Sequence, residues 1–342
     1  MTRARAPLRL GLAGGGTDLS PFCDEYGGAI LNATVGKFAH CYIRTRDDGA
    51  LVLCSGDLDR TETHKFGEEI DDRDGLRLHR GVYNRFLRLG HLKDFRGLNI
   101  STATDVPAGS GLGTSSALVV AMCEALRELA DAPFGLYEIA HMAFEIERND
   151  LTLAGGRQDQ YAAAFGGVNF IEFLAQDRVI VNPLRVREQV LFEFESSLIT
   201  CFTGVSRESD TIIRDQTSNM RLHDASALNA LLELKEAAHR MKSALLVGDL
   251  REVGDVLNQS WLSKKKTATT ISNSRIETLF DVARSAGAYA GKVSGAGGGG
   301  FLMLMSAPEM RANVLRALNN AGGDASPVIL TDFGVQSWKT DS

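Results

Sequence analysis

Between residues 105 and 117 the chain alternates glycine with small residues, Asp105-Val-Pro-Ala-Gly-Ser-Gly-Leu-Gly-Thr-Ser-Ser-Ala117, after a strand-like stretch and before a helical one. Glycine reaches backbone conformations that other residues avoid. Gly109, Gly111 and Gly113 therefore let successive amide N–H groups converge on one point, and the helix that opens at Thr114 adds the partial positive charge of its N-terminus. Both favour phosphate. The run is not a Walker loop, because G-x-x-x-x-G-K-[ST] requires a lysine that is absent. It is not the dinucleotide fingerprint, because Thr114 stands where the third glycine belongs. A plain β–α turn with a Ser/Thr cap is the alternative.

Helical spacing sorts the side chains that follow. With residues at ~100° intervals, Leu118, Met122, Ala125, Leu126 and Leu129 share one face; Ser115 falls inside that stripe and Ser116 points away from its centre. Ser115 is thus placed either to ligate Mg²⁺ or to cap the helix. On the next helix Leu136, Ile139, Ala140 and Ala143 define the buried face, with Glu147 at its centre and Glu145 opposite. A core-facing carboxylate is costly unless paired or bound to metal, so Glu147 is a metal-ligand candidate and Glu145 a solvated surface residue.

Three further clusters carry chemistry. In Ala154-Gly-Gly-Arg-Gln-Asp-Gln160, Asp159 could cap a short helix or accept a proton from a substrate hydroxyl, and local spacing leaves these even. In Leu12-Ala-Gly-Gly-Gly-Thr-Asp18 the glycines permit close approach of a ligand, although a tight turn accounts for them equally well. Lys292-Val-Ser-Gly-Ala-Gly-Gly-Gly-Gly300 contains G-x-G-x-x-G, but a strand-like Phe-Leu-Met-Leu-Met follows instead of a helix, which disfavours a dehydrogenase. Lys264–Lys266 reads as a solvated charge run in preference to a phosphate clamp.

Composition narrows the class. Thirty-seven basic against 43 acidic residues leave a net charge of −6, so no nucleic-acid partner is expected and any phosphate must be gripped locally. Five scattered cysteines without a C-x-x-C argue against structural zinc and disulfides and fit the cytoplasm. No run approaches ~18 apolar residues, so no membrane span is expected. The 342 residues suggest two domains, divided in the polar stretch Gln176–Glu188, as 1–180 and 181–342. Strands are expected at Leu8–Leu12, Ala29–Val35, Phe38–Arg44, Ala50–Cys54, Leu98–Ala103 and Val168–Phe173, with helices at Gly81–Leu89, Thr114–Ala130, Leu136–Arg148 and Gln158–Phe165. The second half should hold helices at Arg207–Gln216, Ala225–Leu246, Leu250–Leu262, Ser274–Ala286 and Pro308–Asn320. Its strands should lie at Leu198–Phe202, Tyr289–Val293, Phe301–Met305 and Pro327–Leu330.

Together these pieces resemble the GHMP kinase superfamily over nearly the whole chain. Its three motifs stand in order: Ala6-Pro-Leu-Arg-Leu to Asp18, Pro107 to Ser116, and Lys292 to Gly300. The resemblance implies an α+β fold, with an N-terminal domain like domain 2 of ribosomal protein S5, a ferredoxin-like C-terminal domain, and a cleft where ATP and a sugar meet. It implies that Pro107, Ala108, Gly109, Ser110, Gly111, Leu112, Gly113, Thr114, Ser115 and Ser116 wrap the ATP phosphates, and that Ser115 and Glu147 share Mg²⁺. Asp159 falls on the catalytic aspartate and Arg9 on the cation after the N-terminal Ala-Pro. Gly15, Gly16, Thr17, Asp18, Gly297 and Gly298 fall on the substrate side.

Galactokinases usually carry Gly-Glu-His-Thr-Asp where this chain has Gly14-Gly-Gly-Thr-Asp18, a change that opens the pocket. The all-glycine version, with Ser206-Arg-Glu-Ser and Ile271-Ser-Asn-Ser, resembles the branch that phosphorylates D-glycero-D-manno-heptose 7-phosphate, and related fucose kinases. That branch implies anomeric phosphorylation to heptose 1,7-bisphosphate, for nucleotide-activated heptose and surface glycans. Lys37, Arg157 and Arg207 are candidates for the distal sugar phosphate. A fucokinase, a galactokinase-like enzyme or a non-catalytic sugar or nucleotide sensor on this fold is the alternative, and a homodimer is left open.

Overall fold

In the N-terminal strand Thr2–Ala13 (β1), Ala4, Ala6, Leu8, Leu10 and Leu12 are buried, the period-two face of a strand laid on a core. It pairs along its length with an 18-residue strand, Gly28–Thr45 (β2). The two strands expected at Ala29–Val35 and Phe38–Arg44 are thus one, with a register shift where Pro7 faces Phe38 and Leu8 faces Val35, leaving Gly36 and Lys37 as the bulge. The computed structural model describes residues 1–107, 109–204, 212–214, 217–218, 225–268 and 270–341. Ala108, Arg207 and most of the helix expected over Arg207–Gln216, including Ser206-Arg-Glu-Ser, lie outside them.

The bulge lets β2 serve two partners. Its first half pairs with Val168–Phe173 (β6), and its second half with Leu98–Thr104 (β5). Beyond β5 lie Ala50–Ser55 (β3) and the polar edge strand Arg60–Lys65 (β4); beyond β6 lies Val179–Pro183 (β7). Helices Thr114–Ala130 and Gln158–Phe165 pack against β1 and β2, which brings the phosphate-loop candidate and Asp159 to one end of the sheet.

The second sheet is fully antiparallel. It runs in the order Asp324–Pro327 (β11), Leu198–Phe202 (β8), Phe301–Ser306 (β10), Ala288–Val293 (β9). In chain order that is 4-1-3-2 with intervening helices, the ferredoxin-like arrangement. Strand β10 is buried on both faces. Leu302 and Leu304 meet helices Ser274–Ser285 and Arg311–Asn320, whereas Met303 and Met305 join the core continuous with the first sheet. A division at residue 180 passes through β7, and the last strand, Gln336–Lys339 (β12), returns to pair with β1. The expected strand at Pro327–Leu330 begins earlier, because Asn319 brackets Ala325 with its side-chain amide; Leu330 makes only an isolated bridge to Val35.

Candidate active site

A cavity of about 690 Å³ opens where β1, the 109–116 loop, the 147–159 segment and the third glycine cluster converge. It is lined by Arg9, Gly16 and Asp18; Gly109, Ser110, Gly111, Gly113, Thr114, Ser115 and Ser116; Glu147; and Asp159. Candidates read from separate stretches of sequence are thus brought to one place.

The glycines of the loop all adopt positive φ, 71° at Gly109, 81° at Gly111 and 77° at Gly113, conformations that side chains rarely share. Neighbours press in as well. A Cβ on Gly111 would stand 2.7 Å from the Ser294 carbonyl oxygen, and one on Gly113 3.2 Å from the Asp159 carboxyl carbon. Leu112 is buried and accepts the Arg9 amide, Ser110 Oγ pairs with Thr114 Oγ1 at 2.8 Å, and Pro107 is exposed outside the cavity.

Asp159 does not cap its helix. Its Oδ1 accepts from Arg9 Nε at 2.7 Å and Nη2 at 2.6 Å, while Oδ2 sits on the side of Gly113. Arg9 Nη1 also donates to the Gly111 carbonyl at 2.7 Å, so one guanidinium ties the carboxylate to the loop. The capping falls to Asp18, whose Oδ2 accepts from the amides of Arg157 at 2.9 Å and Gln158 at 3.0 Å. Burial raises the Asp18 carboxyl above its usual range, the Gln158 amide opposing that and nearby Asp159 adding to it. Gly156 makes the approach feasible, since a Cβ there would lie 1.9 Å from Asp18 Oδ2.

Glu147 is 2 % exposed and lies on a π-helical turn, Ile146–Asp150, that ends the α-helix Leu136–Glu145. Its Oε2 accepts from Gln160 Nε2 at 2.5 Å, and Oε1 lies 3.7 Å from Arg148 Nη1. Glu145, half-buried, accepts from Asn149. The serine assignment is corrected: Ser115 is exposed to the cavity, and Ser116 is buried against Gln160. From Ser116 to Leu126 that helix is buried all round, so an apolar stripe cannot distinguish its faces. Ser115 and Glu147 nevertheless line the same cavity, and Gln160 Oε1 is a buried oxygen without a partner among the described residues. No cluster of three His, Cys, Asp or Glu occurs among the described residues. One carboxylate beside a hydroxyl and a phosphate cradle suits Mg²⁺, which keeps phosphate oxygens among its ligands.

Other expectations move. Thr17 is fully buried and exchanges hydrogen bonds with the Ala29 backbone, and Gly15 lies beside Lys264 without lining the cavity. Gly297 and Gly298 pack back against Ile271; Gly295 and Ala296 face the cavity instead. Lys37 lies elsewhere, and Arg157 is buried in ion pairs with Asp24 and Asp177. Arg77 and Arg148 line the cavity without having been expected there, and Lys264, read from sequence as solvated, lines it too. Lys264 is 4 % exposed, against the expectation of a solvated run. The face test applied to Glu147 would have found it, because Val253, Leu257, Ser260, Trp261 and Lys264 share a buried helical stripe.

Residues 77–167 match the family model for the N-terminal domain of GHMP kinases and residues 241–324 that for their C-terminal domain. The chain is 40% identical to the D-glycero-alpha-D-manno-heptose 7-phosphate kinase of Campylobacter jejuni, over 98% of each. It is 41% identical to a D-glycero-D-manno-heptose 1-phosphate kinase from Bacteroides thetaiotaomicron, whose crystal structure superimposes with a TM-score of 0.83 over all of both chains. It is 27% identical to the L-fucokinase/L-fucose-1-P guanylyltransferase of Bacteroides fragilis, over 92% of this chain and 35% of that protein.

Proposed function

Because the chain belongs to the GHMP kinases, phosphotransferases with an alcohol group as acceptor, we propose that it transfers the γ-phosphate of ATP to the anomeric hydroxyl of D-glycero-D-manno-heptose 7-phosphate. The product would be heptose 1,7-bisphosphate, a precursor for nucleotide-activated heptose in surface glycans. The observation that carries the chemistry is the Arg9–Asp159 pair at 2.6 Å, set against the glycine loop. The 40% identity to the Campylobacter kinase over nearly the full length carries the choice of sugar.

In this reading the amides of the 109–115 loop hold the ATP phosphates at the helix N-terminus. Ser115 and Glu147 would hold Mg²⁺, which when bound neutralises charge on the β- and γ-phosphates. Asp159 Oδ2 orients the acceptor hydroxyl in line with the γ-phosphorus and takes its proton as the new O–P bond forms and the bond to the β-phosphate oxygen breaks. With Arg9 fastened to Oδ1, the carboxylate is held in position, with Oδ2 left to accept that proton. Arg9 also steadies developing negative charge on the transferred group. Gly16 and Asp18 stand on the acceptor side, where the all-glycine turn leaves room for a bulky sugar phosphate.

The two heptose kinases differ in the phosphate their names carry, so the test is a coupled ADP-release assay across a substrate panel. Heptose 7-phosphate, heptose 1-phosphate, free heptose, L-fucose and galactose are compared, and the highest kcat/KM is expected for the 7-phosphate. A higher value for any other sugar reassigns the acceptor.

A further inference from the structure

Among the described residues the motifs leave one buried cation at the cavity without a role, Lys264. Lys264 sits near the end of helix Leu250–Lys265 and reaches the cavity, where Nζ donates to the Gly295 carbonyl at 2.5 Å. Gly295 abuts the phosphate loop, since a Cβ on it would stand 2.7 Å from the Gly111 carbonyl oxygen. On its other side, Nζ lies 3.6 Å from where a Cβ on Gly15 would be. An ammonium from the second half of the chain is thus held between the N-terminal glycine turn and the loop.

Its surroundings undercompensate it. A buried ammonium is costly unless paired, and Lys264 has a single backbone acceptor for its three N–H donors among the described residues. Desolvation pushes it down to about 8, Arg9 adds to that fall, and Asp18 and Asp159 oppose it. Of these carboxylates, Asp159 is fastened to Arg9 and Asp18 to a helix start. A second buried lysine, Lys292, offers no counter-charge: burial first, then Lys264 and Arg9, push it well down, and its Nζ donates to the Gly11 carbonyl at 2.8 Å. An anion with several acceptor oxygens would satisfy both the charge and the unused donors.

We infer that Lys264 binds a phosphoryl group at the transfer centre, beside the loop whose amides face the same cavity. The inference rests on the kinase reading above. Two phosphates could occupy the position: the γ-phosphoryl in transit, or the phosphate the acceptor already carries.

The test compares Lys264→Met, Lys264→Arg and, as control, Lys266→Met, whose exposed lysine faces Glu233. Each is assayed with phosphorylated and unphosphorylated heptose, and nucleotide affinity is measured separately. If Lys264 serves the γ-phosphoryl, Lys264→Met lowers kcat with both acceptors by roughly 10²-fold while nucleotide affinity holds. If it serves the acceptor's phosphate, the loss is confined to kcat/KM of the phosphorylated sugar. In both cases Lys264→Arg recovers part of the activity, Lys266→Met is unaffected, and the wild-type decline in kcat/KM as pH rises through about 8 is absent from the arginine variant. Values of both kcat and kcat/KM within about twofold of wild type for Lys264→Met with either acceptor, or a loss wholly accounted for by weaker nucleotide binding, overturn the inference and leave Lys264 a clamp on Gly295. Should the wild type release no ADP with any heptose, the proposed function fails separately. Lys264 is then judged by binding of inorganic phosphate to the ADP-loaded protein. An affinity at least about tenfold weaker in Lys264→Met is expected, and equal affinity overturns the inference.

Discussion

Asp159 has Arg9 on one carboxylate oxygen and the loop glycine Gly113 against the other. Replacing it by asparagine keeps the shape and removes the charge and the proton acceptor. Asp159→Asn is therefore expected to lower kcat by roughly 10²–10⁴-fold while nucleotide affinity, measured by calorimetry, stays near wild type. Glu147 and Glu145 make a paired comparison two residues apart. Glu147→Gln should raise the Mg²⁺ concentration for half-maximal activity by on the order of tenfold or more, and Glu145→Gln should leave it unchanged. Equal shifts in a Mg²⁺ titration would remove Glu147 from the metal site. Glu147 was legible in the sequence because a carboxylate on an apolar stripe is anomalous. The same reasoning misplaced Ser115, since its helix has no solvent face to contrast with a buried one.

At the scale of elements, the short helix Gln158–Phe165 that carries Asp159 starts without a local side-chain cap, and Asp18 supplies one from β1's end of the sheet. Asp18→Ala should therefore destabilise the protein by about 1–2 kcal/mol in urea unfolding, with Asp18→Asn closer to wild type because its carbonyl oxygen can accept the same amides. Gly156→Ala should resemble the alanine variant, because its methyl group would occupy the position of Asp18 Oδ2. Normal stability in Gly156→Ala would show that the carboxylate can leave without cost. The N-terminal glycine turn and the helix that carries Asp159 are therefore mechanically joined. Most helices of the first half were readable, Thr114–Ala130 and Gln158–Phe165 to the residue. Edge strand β4, with the sequence Arg-Thr-Glu-Thr-His-Lys, was not, because its inner face carries Glu62 and His64, and a strand whose inward side chains are polar shows no apolar alternation.

Across the whole molecule, the last strand closes the first sheet. Gln336–Lys339 pairs with Thr2–Arg5, and Ser337 Oγ donates to Glu124 on the central helix at 2.6 Å. Deleting residues 336–342 should lower the melting temperature by on the order of 5 °C and promote association through the bared edge of β1, as read by calorimetry and light scattering. An unchanged melting temperature would make the tail dispensable. Sequence alone determined the glycine turn ahead of a helix, the burial of Glu147 and the α+β class, because glycine spacing and hydrophobic period are local properties of the chain. Only the tertiary structure decided that Asp159 is held by Arg9 instead of capping its helix, that Asp18 does the capping, and that Lys264, whose burial its helical stripe already implied, meets Gly295 at the cavity. Contacts at this sheet end join residues far apart in the chain, with Lys292 reaching the Gly11 carbonyl 281 positions away. No local pattern encodes a contact of that separation, and the charges it brings together set the chemistry of the site.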